Sequence, residues 1–149
     1  MDPLPDLPRP SPTGDGRFCI HGTSIAVGGK GLLLLGASGS GKSGVAAQMI
    51  CLGATLISDD LTLLDGRGGK ILAMRPEGSA PEMELRGLGI VRVDTADPTP
   101  LAAVLFLGPG TGRLPEAEHL DLAGHVLPLL RHPPAPDLAP KAMLWLRGR

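Results

Sequence analysis

Aromatic side chains are almost missing from this sequence: Phe18, Phe106 and Trp145 are all there are, and there is no tyrosine. Single-stranded nucleic acids are held largely by stacking bases on aromatic platforms, so their scarcity argues against that class of ligand. It also obliges the core to be aliphatic. An excess of charge of one sign is missing too. The formal net charge is −1, so no broad basic surface draws a polyanion. No apolar run approaches the ~20 residues of a membrane span. The first residues lack a basic stretch followed by an apolar one, so no signal peptide is expected and the cytoplasm is the expected compartment. Cysteine is sparse. Cys19 and Cys51 read as two buried, reduced thiols, and no Cys/His cluster has zinc spacing.

What the sequence has is an ordinary globular balance, with 42% hydrophobic and 19% charged residues over 149 positions, enough for one domain with a real core. Glycine and proline are plentiful and concentrated. Residues 1–16 carry Pro3, Pro5, Pro8, Pro10 and Pro12 and close on Gly14-Asp15-Gly16. Prolines at this density remove donors and block helix, so a disordered or extended proline-rich arm is expected there, followed by one domain over 17–149.

The glycines mark the chemistry. Gly36-Ala37-Ser38-Gly39-Ser40-Gly41-Lys42-Ser43 fits G-x-x-x-x-G-K-[ST], the phosphate-binding loop. Leu32–Leu35 before it is short enough to be a buried strand. Val45, Ala46, Met49 and Ile50 after it recur at helical spacing. Strand, loop and helix is the context the motif requires. Glycines let backbone N–H groups converge on an anion, and the helix N-terminus adds roughly half a positive charge. Lys42 would reach the β- and γ-phosphates of a nucleotide, and Ser43 would offer its hydroxyl to Mg²⁺. A glycine-rich turn that fits the pattern by accident is the plain alternative.

Around the loop, the spacing predicts short strands over Arg17–Ile20, Ser24–Val27, Ala54–Ser58, Leu61–Leu64 and Leu101–Leu107, and Lys70–Met74 returns as a hairpin partner. A helix is predicted over Lys42–Leu52 with Gly53 as its C-terminal cap. Asp94–Pro100 reads as a linker. A short helix interrupted by Pro128 is predicted within Glu116–Leu130, and a final amphipathic helix over Lys141–Arg149. The sum is an α/β domain with a mixed sheet.

Three further features bear on the chemistry a bound nucleotide would undergo. Asp59-Asp60 ends a predicted strand, and in open α/β sheets ligands gather at the carboxyl ends of strands. One carboxylate would hold Mg²⁺, and the other would take the proton of an attacking hydroxyl, a service worth roughly 10²–10⁴-fold. As a solvated acidic turn, the pair would do neither. His21 lies in His21-Gly22-Thr23, where a lone histidine is more often structural. Glu84 and Arg86 lie in Glu84-Leu85-Arg86-Gly87-Leu88-Gly89. Glu84 would be a second metal carboxylate and Arg86 a stabiliser of charge on the moving phosphoryl group. As a strand-edge ion pair they would contribute little.

This order of motifs, from His-Gly-Thr through the loop and Asp-Asp to Glu-x-Arg-Gly-Leu-Gly-Ile, resembles the catalytic domain of HPr kinase/phosphorylase. The likeness runs from about Phe18 to Val93. It implies a fold like that of phosphoenolpyruvate carboxykinase and an ATP- and Mg²⁺-dependent serine kinase acting on the phosphocarrier HPr. It implies Asp60 as proton acceptor in the kinase direction and donor in phosphoserine removal, with His21 assisting. Lys42 would bind the transferring phosphate, and Ser43 and Glu84 would serve Mg²⁺. A homo-oligomer is implied as well, since the family assembles as hexamers. The sequence departs from the pattern at Gly44, where many members are acidic, and nothing after Val93 matches the segment that long members use in dephosphorylation. Phosphorylase activity and the hexamer are therefore open. The chain resembles the short alphaproteobacterial form. A small-molecule kinase on the same loop and a non-catalytic nucleotide sensor are the rival readings.

Overall fold

The computed structural model describes residues 7–110 and 112–149. The elements in order are β1 (Ser11–Pro12), β2 (Phe18–His21), β3 (Thr23–Val27), β4 (Lys30–Leu35), α1 (Lys42–Cys51), β5 (Thr55–Ser58), β6 (Leu61–Asp65), β7 (Leu72–Met74), β8 (Glu82–Leu85), β9 (Gly89–Arg92), β10 (Thr99–Leu107), β11 (Glu118–Leu122), β12 (His125–His132) and α2 (Leu138–Arg147). The mixed α/β class expected from the sequence is the one observed.

The sheet runs β1-β2-β6-β7-β10-β4-β3-β5, with β12 joined to β10 and β11 to β12. β4, β10 and β12 are parallel neighbours, and the remaining pairings are antiparallel. β10 is the spine. Thr99–Pro100 pair with β7, while the rest of the strand pairs with β4 on one side and β12 on the other. The register slips between Leu101 and Ala103. That bulge bends the strand, and it also switches which side alternate residues face. Leu101 falls in one core, whereas Ala103, Leu105 and Leu107 fall in the other.

The bent sheet thus makes two cores. One lies under the helices, where Ile25, Leu32, Leu34 and Leu105 meet Val45 and Met49 of α1 and Met143 and Leu146 of α2. The second lies inside the fold of the sheet, where Leu33, Leu35, Val104 and Phe106 meet Ile20, Leu64, Ile71 and Ala73. Four consecutive leucines of β4 are divided two and two between these cores. A strand buried on both faces reads as an unbroken apolar run, and Leu32–Leu35 does.

α1 ends as its sequence predicts. Gly53 takes φ +112, its N–H donates to Ile50 O, and the Ala54 N–H donates to Met49 O, the paired bonds of a Schellman cap. The Arg147 guanidinium adds a bond to Leu52 O from the end of α2. Cys51, expected to be buried, is exposed on this last turn, and Cys19 is half-buried.

Two predicted helices differ from expectation. The helix expected within Glu116–Leu130 is a hairpin of β11 and β12, because Leu120, Leu122, Leu127 and Leu129 are spaced for alternation across a two-residue turn. Ala123 (φ 50) and Gly124 (φ 88) supply that turn with two positive φ angles. Pro128 sits just before the residues of β12 that pair with β10. The final helix begins at Leu138 rather than Lys141, since Pro140 in a first turn has no intrahelical bond to lose. Glu82–Leu85 and Gly89–Arg92 form a separate two-stranded sheet, β8 with β9, turned through Gly87 at φ 88. Of the proline-rich arm, residues 1–6 lie outside the described residues. Ser11–Pro12 are extended and paired with Cys19 and Phe18.

Candidate active site

The phosphate loop leaves the carboxyl end of β4, beside the same end of β10. A Cβ on Gly36 would lie 2.6 Å from Ser40 Oγ and 3.2 Å from the Leu107 carbonyl oxygen, so only glycine fits there. Gly41 caps α1 in the left-handed region (φ 102), and a Cβ on it would press on Pro134 at 3.2 Å. The Lys42 ammonium curls back over the loop and donates to Gly36 O at 2.8 Å and Ala37 O at 3.2 Å. Ser40 Oγ is buried with no hydrogen-bond partner among the described residues.

Opposite the loop stand two corners of chain. At His21-Gly22-Thr23 the chain leaves β2, which pairs with β6, and enters β3, which pairs with β4 and β5. At Asp59-Asp60 it makes the reverse crossing, from β5 to β6. The corners lie side by side: the Gly22 N–H donates to Asp60 O at 2.9 Å. Gly22 is required because a Cβ would meet Leu35 Cδ2 at 2.8 Å and Leu34 O at 3.0 Å. The two strands flanking this corner do not pair with each other; they belong to the two halves of the bent sheet.

Asp59 is the hub of this wall. Its Oδ1 accepts from Ser43 Oγ at 2.8 Å and from Thr23 Oγ1 at 3.1 Å, and its Oδ2 accepts from the Glu84 backbone N–H at 3.3 Å. Asp60 takes φ 67, unusual for a residue other than glycine, and its exposed side chain lines the cleft. His21 is exposed at the end of β2 and lines the same cleft. From the tip of the β8–β9 hairpin Arg86 reaches over the loop, its Nη2 4.0 Å from where a Gly39 Cβ would be.

The cleft so enclosed has a volume of about 1220 Å³, ample for a nucleotide and part of a second substrate. Every residue expected at the site from sequence lines it except Ser40, whose hydroxyl is buried beneath the loop. Thr23 is a site residue that the sequence does not single out. It lies in the His21-Gly22-Thr23 motif, but only the pairing of corners brings its hydroxyl to Asp59. Leu7 and Pro8 of the arm and Leu85 and Leu88 of the hairpin complete the lining.

The residues fit a nucleotide and Mg²⁺. A helix N-terminus, the Lys42 ammonium and an unpartnered buried hydroxyl suit a polyphosphate. Ser43 and Asp59 offer adjacent hard oxygens. No group of three His, Cys, Asp or Glu among the described residues is placed to hold a metal. That suits an ion completed by phosphates and water, as Mg²⁺ prefers, rather than an all-protein cage. Glu84 lines the cleft, but what it gives Asp59 is its backbone N–H; its carboxylate has not joined the Ser43–Asp59 pair.

The shifted titrations lie elsewhere. Arg67 holds the Asp65 carboxyl down to about 2 through paired hydrogen bonds, and Arg17 likewise holds Asp15 well below the carboxylate range. Both pairs sit at the far end of the β2–β6 ladder from His21.

Fold and cleft together define a phosphate-loop α/β domain with an acidic wall. Residues 16–96 match the family model described as the HPr Serine kinase C-terminal domain, and the chain belongs to that family. Among curated proteins it is 39% identical over 74 residues to an HPr kinase/phosphorylase of Mycoplasmopsis pulmonis, covering 50% of this chain and 24% of that protein. It is 36% identical over 111 residues to one of Caldicellulosiruptor bescii, covering 71% of this chain and 30% of that protein. The chain therefore spans about a quarter of the length of the curated relatives it matches. In fold it is similar to the Hpr(Ser) kinase/phosphatase from Coxiella burnetii, with a TM-score of 0.77, 18% identity, and coverage of 87% of this chain and 88% of that one.

Proposed function

We propose that this domain is an ATP- and Mg²⁺-dependent serine kinase whose acceptor is an HPr-like phosphocarrier protein. The observation that carries this reading is the placement of Asp60 across one cleft from Lys42 and the phosphate loop. Asp60 takes the proton of the serine hydroxyl as its oxygen bonds to the γ-phosphorus. The bond from that phosphorus to the bridging oxygen breaks, and ADP leaves. The loop N–H groups and the Lys42 ammonium hold the phosphates, and Arg86 faces the charge that develops on the transferring group. His21 stands beside Asp60 to orient it or the acceptor. Mg²⁺, when bound, neutralises phosphate charge; Ser43 and Asp59 are the residues that would hold it, and Glu84 lines the same cleft as a further carboxylate.

The acceptor class rests on family membership, and the acid–base step on geometry. The cytoplasm is the compartment that goes with this reading. No helix among the described residues is long and apolar enough to cross a membrane.

The test is phosphotransfer. The protein is incubated with ATP, Mg²⁺ and a cognate HPr, and phosphoserine is measured. Asp60→Asn is expected to abolish the signal while ATP still binds. Near-wild-type rates in Asp60→Asn would remove Asp60 from its role, and transfer to a metabolite with indifference to HPr would replace the acceptor. The same mixture supplied with phosphorylated HPr and inorganic phosphate reads the reverse activity.

A further inference from the structure

The polar interior of this domain is concentrated in one place. Of the five polar residues buried as a whole among the described residues, Thr23, Ser24, Ser58 and Thr62 all stand at the paired corners behind the acidic wall. Three of them serve the corners alone. Ser24 Oγ bonds Thr62 Oγ1 at 2.9 Å, Thr62 Oγ1 donates to Gly22 O at 3.0 Å, and Ser58 Oγ donates to Leu61 O at 2.6 Å. Thr23 does something else. Its hydroxyl, on a wholly buried residue, donates to Asp59 Oδ1 at 3.1 Å and accepts the Asp60 N–H at 3.4 Å. A hydroxyl has one proton and two lone pairs, so it can do both at once.

We infer that Thr23 is a positioning residue that sets Asp59 and Asp60 to different tasks, holding Asp59 on Ser43 for the metal while turning Asp60 into the cleft. This inference rests on the kinase reading for what Asp60 does, though not for what Asp59 binds. Two adjacent carboxylates on an ordinary extended strand would point to opposite faces. Here both must serve one cleft, and the left-handed Asp60 backbone achieves it. That conformation is fastened at its carbonyl by the Gly22 N–H and at its own N–H by Thr23. On Asp59 Oδ1 the Thr23 proton joins that of Ser43, so one carboxylate oxygen ties the rigid first residue of β3 to the first turn of α1. Valine would fill the same space but leave Asp59 with one hydroxyl donor and the Asp60 N–H with none.

Removing a hydrogen-bond partner behind a metal ligand typically costs about 10–100-fold in metal affinity or activity. The experiment compares Thr23→Val, Thr23→Ser and Thr62→Val with wild type in the full chain. Calorimetry with a non-hydrolysable ATP analogue is titrated against Mg²⁺, alongside melting temperature and phosphotransfer to HPr. Thr23→Val is expected to weaken Mg²⁺ in the analogue complex by ~10-fold or more, with metal-free analogue binding unchanged. Thr23→Ser restores most of the loss. Thr62→Val lowers the melting temperature and leaves the Mg²⁺ affinity alone. Wild-type Mg²⁺ affinity in Thr23→Val, an equal loss in Thr62→Val, failure of serine to rescue, or Mg²⁺-indifferent binding in wild type would each overturn the inference. If HPr is never phosphorylated but the Mg²⁺ affinities move as stated, the acceptor assignment fails and the positioning role stands.

Discussion

The phosphate loop and the acidic wall face each other across the same cleft and are made in opposite ways. The loop is eight consecutive residues, and its geometry is local: glycines at 36, 39 and 41, and a lysine whose ammonium folds back onto the loop's own carbonyls. The wall is made of two corners, and its Thr23 and Asp59 are separated by 36 positions in the chain and joined by a side-chain hydrogen bond. A local motif survives change elsewhere so long as strand and helix hold it. A wall made of two crossings depends on the sheet being bent, because only the bend at β10 brings the half containing β2 and β6 over the half containing β3 and β5. Damage to the loop should therefore appear first in nucleotide binding, and damage to the wall in metal use and chemistry.

The sharpest way to break that contrast is at Asp60. Asp60→Asn should lower phosphotransfer by ~10²–10⁴-fold, the span of general-base catalysis, with nucleotide affinity kept; a single-turnover assay beside an equilibrium binding curve separates the two. Next comes the loop. Lys42→Ala removes the cation at the phosphates, so both binding and rate should fall, with a loss of roughly 10²–10³-fold in transfer. If binding were untouched, the division of labour between loop and wall would be wrong.

Gly41→Ala tests backbone rather than charge. Alanine would have to hold φ 102 with its Cβ 3.2 Å from Pro134, strain on the order of 1–3 kcal/mol. A lower melting temperature together with weaker nucleotide binding is expected, and Asp60→Asn should show neither. The smallest effect belongs at the far end of β2 and β6. Asp65 has its folded pKa lowered from 3.8 to about 2, so its contribution to stability is complete above the ordinary value and is lost as pH falls through about 2. Asp65→Asn should thus lose a little stability at neutral pH, a loss that shrinks as the pH falls through that range, read as the gap between melting temperatures in acid and at neutrality. Its partner Arg67 is exposed to solvent, which keeps that gap small.

Much of the site is legible in the residues. The loop announces itself because a phosphate-binding loop needs glycines at fixed spacing and a fixed lysine. Asp59, Asp60, His21, Glu84 and Arg86 are nameable from their offsets, and all line the cleft. Thr23 is not, since a threonine opening a strand has no mark to separate it from any other β-branched residue. The hairpin within Glu116–Leu130 reads as a helix for a related reason: leucines on a short strand and on a short helix differ only in period, and Ala123 is an unusual residue to open a left-handed turn.

Sequence by itself determined the class of the domain, the phosphate loop, the cap at Gly53 and the aliphatic character of both cores. Each of these depends on neighbours within a few positions, where backbone geometry and side-chain period act directly. Tertiary structure alone decided that the corners at Gly22 and Asp60 touch and that Asp59 rather than Asp60 takes the hydroxyl of Ser43. Both depend on the bend at β10, where the strand passes from pairing with β7 to pairing with β4 and β12. The energy of that bend is shared among residues dispersed along the whole chain, and no single stretch of sequence contains it.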